Sequence, residues 1–148
     1  MSHLQVDLAR SLMNVSAKLD RLTDYMRPQA FKTHIDGVLL TIAAAIGTSK
    51  TDSGTYNFQT LIKKITVCPN RYDEGDYIFF IINGNEYPEK DKPLYAQGYG
   101  TTPIPMEVEF DGDLPVCPQG KPIEVIWNNG AAQAKKISVT FKRLVQKP

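Results

Sequence analysis

The chain has 148 residues, 42% hydrophobic and 22% charged, which leaves room for one domain with a proper core and a short appendage. With 17 basic and 16 acidic side chains its formal net charge is +1. That balance argues against a dedicated nucleic-acid binder, whose basic residues outnumber its acidic ones, and against a polybasic membrane-surface protein.

The first residues, Met1-Ser2-His3-Leu4-Gln5-Val6-Asp7, lack the basic stretch and apolar run of a secretory signal. The most apolar run, Val38 to Ile46, is about half the length needed to cross a bilayer as a helix. Synthesis in the cytoplasm is therefore expected, unless the protein leaves by another route such as release inside a virus particle. Residues 1–28 and 29–148 read as two different kinds of structure.

In the first part, Leu8, Leu12, Val15, Leu19, Leu22 and Met26 fall at alternating steps of four and three. This is a heptad seam, with Leu12, Leu19 and Met26 at a and Leu8, Val15 and Leu22 at d. Arg10, Asn14, Lys18, Asp20 and Asp24 lie off the seam. Arg27-Pro28 ends the helix, because a residue before proline is pushed out of helical geometry. Such a helix is marginal alone in water and needs a partner, either further copies of itself or its own domain or another protein. Unbranched leucine at a, with a β-branched valine at one d, favours a trimer over a dimer.

From Phe31 onward the pattern is β. Val38 to Ile46 reads as a strand leading into a Gly/Ser/Thr loop from Gly47 to Thr55, and Tyr56 to Val67 as a further strand region. Tyr77 to Ile82 is an uninterrupted apolar run, expected to be a central strand buried on both faces, and Asn83-Gly84 after it is a hairpin turn signal. Met106 to Phe110 alternates before the turn Asp111-Gly112-Asp113. Ile123 to Trp127 is a strand with Trp127 in the core, running into a tip at Asn128-Asn129-Gly130. Lys136 to Val145 alternates one face in and one face out. The echo of Lys63-Lys64-Ile65-Thr66-Val67 in Lys135-Lys136-Ile137-Ser138-Val139 reads as two edge strands blunted by lysine. Strands of this length, punctuated by Gly, Pro, Asn and Asp, give a mainly β fold, an antiparallel β-sandwich of jelly-roll-like kind.

Few residues carry chemistry. His34 and Asp36 share a strand face at period two, but no nucleophile accompanies them, and a hydrogen-bonded surface histidine accounts for the pair. No phosphate-cradling or dinucleotide motif is present. Asp73-Glu74-Gly75-Asp76 and Asp111-Gly112-Asp113 lack the spacing of a calcium loop and read as solvated turns. Cys68 and Cys117 each precede a proline; they read as small buried thiols, with a disulfide as the alternative. No enzyme activity and no cofactor is expected. The aromatic residues stand out more. Tyr87, Tyr95 and Tyr99 flank a long connection from Asn85 to Pro105 that carries Pro88, Pro93, Pro103 and Pro105. A loop of that length on a small domain is usually functional or bridges subunits, and exposed tyrosines make good anchors. The rings could equally pack down on the domain.

The heptad stretch Leu8 to Met26, the hinge Arg27-Pro28 and the β domain from Phe31 to Val145 together resemble small virion proteins of tailed bacteriophages: capsid decoration proteins, head fibres and short spikes. The resemblance lies in layout and not in a shared motif, so it assigns no site residue. It implies a homotrimer that attaches to a capsid or tail protein by one end and displays the sandwich outward. It places the protein in the virion after synthesis in the host cytoplasm, and otherwise in the cytoplasm. The rival reading is a carbohydrate- or receptor-binding module that uses Tyr87, Tyr95 and Tyr99 against a cell-surface glycan.

Overall fold

The computed structural model describes residues 9–16, 18 and 32–145. The chain divides into two compact units, one of them Lys32–Val145 and the other made of the remaining residues. In the latter, residues 9–16 form a helix, α1, on which Leu12, Met13 and Val15 are exposed by 63%, 73% and 53%. Leu8, Leu19, Leu22 and Met26, the rest of the expected seam, lie outside the described residues.

The unit Lys32–Val145 is built of antiparallel strands. One sheet orders β1 (Lys32–Ile42), β12 (Lys135–Val145), β3 (Thr60–Pro69) and β10 (Val116–Cys117), with β9 (Met106–Glu109) also on β3. The other orders β2 (Gly47–Asp52), β11 (Glu124–Asn129), β4 (Tyr77–Ile82) and β5 (Asn85–Tyr87), with β6 (Leu94–Tyr95) also on β4. A small hairpin joins β7 (Gly98–Tyr99) to β8 (Thr102–Pro103). Both sheets feed one core. Leu40, Ile62, Ile65, Val67, Ile137, Val139 and Phe141 from the first cluster with Ile78, Phe80, Ile82, Val125 and Trp127 from the second. Burying these apolar faces is the dominant stabilising term, at about 25 cal/mol per Å² removed from water.

Alternation explains most of the burial, and its break in β3 has a cause. Ile62 and Ile65 both point inward although they are three apart. The pairing of β3 with β12 shifts register between Lys142 and Arg143, and this bulge absorbs Lys63 as an extra residue so that both isoleucines reach the core.

Several sequence expectations are corrected. Gly47–Asp52 is a strand, not a loop: its polar Thr, Ser, Lys and Asp suit a sheet edge whose neighbour is β11 alone. β4 is central as expected, but only Ile78, Phe80 and Ile82 are fully buried, while Tyr77, Phe79 and Ile81 are half-buried on the other face. The lysine-bearing strands β3 and β12 are not edges but adjacent inner strands. Asn129 is not a solvated tip; it is fully buried in β11. Asp76 is not a solvated turn residue either. It is fully buried against the equally buried Lys135. The Asn83-Gly84 turn does form, with both residues at positive φ (51° and 77°) between Ile82 and Asn85, the geometry that matches the twist of a hairpin. Trp127 is fully buried, as anticipated.

The two cysteines are free. Cys117 is buried opposite Thr60 at one end of β3, and Cys68 is exposed near the other end. At about 3.3 Å per residue they stand roughly 25 Å apart, far beyond disulfide reach.

Candidate functional site

The connection from Asn85 to Pro105 is not a single open loop. It holds β5 to β8, and its three tyrosines meet different fates. Tyr87 pairs across from Phe80 in β5 and sets its ring edge-on to Phe110 at 5.4 Å, so it packs against the core. Tyr95 in β6 is 59% exposed. Tyr99 in β7 is 82% exposed.

Strand register shows what Tyr95 joins. It pairs with Tyr77, its ring standing edge-on to Tyr77 at 5.7 Å. Tyr77 in turn stacks on Phe79, two residues along β4, at 6.3 Å. Across β11 the same face carries Asn128 beside Tyr77 and Ile126 beside Phe79. Beyond them, on β2, lie Thr48 and Lys50, and Lys50 pairs with Glu124. The outward face of this sheet is thus an aromatic row with a polar border. The sequence offered a signal for it, since aromatic residues at period two within the apolar run Tyr77 to Ile82 can serve an outer face as well as a core.

A separate cleft of about 590 Å³ is lined by Asn70, Arg71, Tyr72, Asp73, Glu74, Gly100 and Thr101. Its position follows from a close approach: the Tyr72 hydroxyl donates to the Gly100 carbonyl at 2.7 Å, and the Tyr72 ring lies where a side chain at residue 98 would stand. Glycine at 98 therefore lets the β7–β8 hairpin, with Tyr99 at its tip, sit on the cleft. The walls are charged in both senses. Arg71 Nε lies 3.4 Å from Asp73 Oδ2, and Lys135 Nζ reaches the same oxygen from behind at 2.9 Å. The hydrogen bond from Lys135, then that from Arg71, holds the Asp73 carboxyl below its ordinary range. Sequence reasoning missed Arg71 and Tyr72; the role of Tyr72 arises from a contact made nearly thirty positions away in the chain.

The pair His34 and Asp36 shares one face of β1, both half-buried, but Asp36 is committed to Arg143 Nε at 2.9 Å. Arg143 in turn sits over the Tyr56 ring, 4.1 Å from its centroid. Burial, then the nearby Asp36 charge, pushes the Tyr56 hydroxyl far up. Burial also raises the Cys117 thiol. Among the described residues no group of three or more His, Cys, Asp or Glu is placed to hold a metal ion, and no helix is long and apolar enough to cross a membrane.

Chemically, ring faces stack on apolar C–H faces, and Asn, Arg and carboxylate groups exchange directional hydrogen bonds. Compared with known proteins, the chain matches no family model and no curated protein.

Proposed function

We propose that the chain is a non-enzymatic assembly protein of the virion-surface kind, in which the N-terminal helix self-associates, as a trimer, and the β unit is a displayed jelly-roll sandwich. The observation that carries this reading is the exposure of Leu12 and Val15 on α1, neighbouring a and d positions of a seam that needs a partner. The strand pairing supports the jelly roll. β1 pairs β12, β2 pairs β11, β3 pairs β9 and β10, and β4 pairs β5. That is one long antiparallel hairpin, and rolling it up generates the two sheet orders seen. Folds of this kind recur in viral capsid and lectin domains.

In this reading each helix contributes weak packing, and symmetry makes three equal surfaces available to a capsid or tail lattice, so individually weak contacts add through effective concentration. The test is the absolute solution mass of the full chain against Leu12→Asp with Leu19→Asp. A trimer that becomes a folded monomer supports the proposal; a monomeric wild type, or a double variant that stays trimeric, overturns it.

A second reading, a glycan-binding module, is favoured by one specific observation: the Tyr95–Tyr77–Phe79 row on the outward face of the sheet. The two are compatible, since a displayed sandwich can also bind. Titration of the chain with a panel of neutral and acidic oligosaccharides checks it. Saturable binding lost in Tyr95→Ala supports the reading, and silence across the panel removes it.

A further inference from the structure

A fully buried polar cluster lies behind Asp73, and neither reading uses its Lys135–Asn129 contact. Lys135 is 1% exposed, and Asp76 and Asn129 are wholly buried. Lys135 Nζ lies 2.6 Å from Asp76 Oδ2 and 2.6 Å from Asn129 Oδ1. Asp73 Oδ2 is 2.9 Å away. We propose that Lys135 and Asn129 become joined by an amide bond between their side chains, with Asp76 carrying the protons, so that the last residue of β11 and the first of β12 are covalently linked across the two sheets.

The chemistry needs an amine, a carbonyl carbon and a proton carrier held together without water, and the cluster holds all three. The Asn129 carboxamide cannot turn away, because its Nδ2 donates to the carbonyls of Ala45 at 2.9 Å, Gln133 at 3.0 Å and Ala43 at 3.3 Å. Asp76 is equally pinned: backbone N–H groups of Asp73 and Gly130 donate to its two oxygens, each at 2.7 Å. The electrophile is assigned to Asn129 and not to Asp76 because an ionised carboxylate repels a nucleophile, while a neutral carboxamide does not.

The step balances. Asp76 takes one proton from the Lys135 ammonium, and the freed amine lone pair attacks Asn129 Cγ, forming the new C–N bond. The adduct nitrogen gives up a second proton and Nδ2 receives one, by way of Asp76. The Cγ–Nδ2 bond then breaks and ammonia leaves. The products are one secondary amide, one ammonia and Asp76 holding the remaining proton, so no oxidant or reductant is required. A buried ammonium and carboxylate are thereby replaced by neutral groups, which removes the desolvation cost of a buried ion pair, and escape of ammonia makes the change one-way.

The experiment is the intact mass of the purified full chain, allowing for removal of Met1, followed by proteolytic mapping. The expected result is a mass lower than the sequence by one ammonia, with a branched peptide linking residues 129 and 135, and a full sequence mass in Asp76→Asn and in Lys135→Arg. Because Asn129-Gly130 could also lose ammonia by closing a backbone succinimide, the sample is incubated in mild alkali. A loss that hydrolyses away there, or that persists in Lys135→Arg, overturns the proposal. So does an unmodified wild-type mass, a result that needs no variant to fold, and so does the loss of one water, which would place the bond on an aspartate.

Discussion

Replacing Arg143 separates three contributions that meet on one side chain. It is held in the β12 register opposite Ile62, immediately after the bulge. From there its guanidinium both donates to Asp36 and lies over the Tyr56 ring. A stack of this kind, partly desolvated, contributes about 1 kcal/mol. The ion pair involves an Asp36 side chain that is 38% exposed, so it is discounted for solvent screening to about 0.5 kcal/mol. Loss of the packed aliphatic stem adds about 1 kcal/mol. Arg143→Ala should therefore cost roughly 2–3 kcal/mol, a fall in Tm of about 10 °C for a unit of this size. Arg143→Lys keeps the charge and most of the stem but loses the planar stack and fork, and should cost about 1 kcal/mol. Asp36→Asn should cost about 0.5 kcal/mol and couple to Arg143→Ala in a double-mutant cycle by a similar amount. Urea melts of the five proteins, the double variant and the wild type included, with constant m-value, give these numbers. If Arg143→Lys melts with the wild type while Asp36→Asn falls as far as Arg143→Ala, the ion pair and not the stack carries the site, and the partition above is wrong.

Other outcomes follow from the same structure. A thiol reagent at neutral pH should label Cys68, which is exposed, at once, and Cys117, buried and with its thiol raised, only after unfolding; two rapid labels per chain would contradict the packing around β10. Gly98→Ala should free the β7–β8 hairpin, since a methyl group there would run into the Tyr72 ring and the Thr102 carbonyl. Faster cleavage by protease near Tyr99, at little cost to the global melt, is the expected result. Asp73 has its folded-state carboxyl depressed below the ordinary 3.8. Its contribution to stability is therefore complete above about pH 4 and is lost as the pH falls through the lower folded value. In protein whose Lys135 is still a free ammonium, Asp73→Asn should flatten that acid limb of the stability curve, and an unchanged limb there would mean that Lys135 and Arg71 gain nothing from it.

The β class, the strands β3, β4, β9, β11 and β12 in outline and the Asn83-Gly84 hairpin were legible in the sequence because they depend on local alternation and on residues that tolerate positive φ; the polar β2 (Gly47–Asp52) was not, because it carries no apolar alternation. Trp127 as core was legible for the same reason. Alternation cannot say which face of a strand finds a partner. The run Tyr77 to Ile82 therefore looked buried on both sides, when one of its faces carries the aromatic row. Nor can composition tell an edge from a centre: Lys135 and Lys64 suggested blunted edges, yet β3 and β12 lie side by side, and the Lys135 charge is met by Asp76 and Asp73, some sixty positions distant in the chain. The tyrosines of the 85–105 segment divided for a similar reason, since Tyr87 found Phe110 to pack against while Tyr95 and Tyr99 stayed on the surface. Sequence by itself determined that the unit is mainly β, roughly where its longer strands run and which residues favour burial. Which charges are buried, which rings stay exposed and which side chains converge are long-range outcomes, decided only when the strands pair into two sheets and distant residues are brought within a few ångströms.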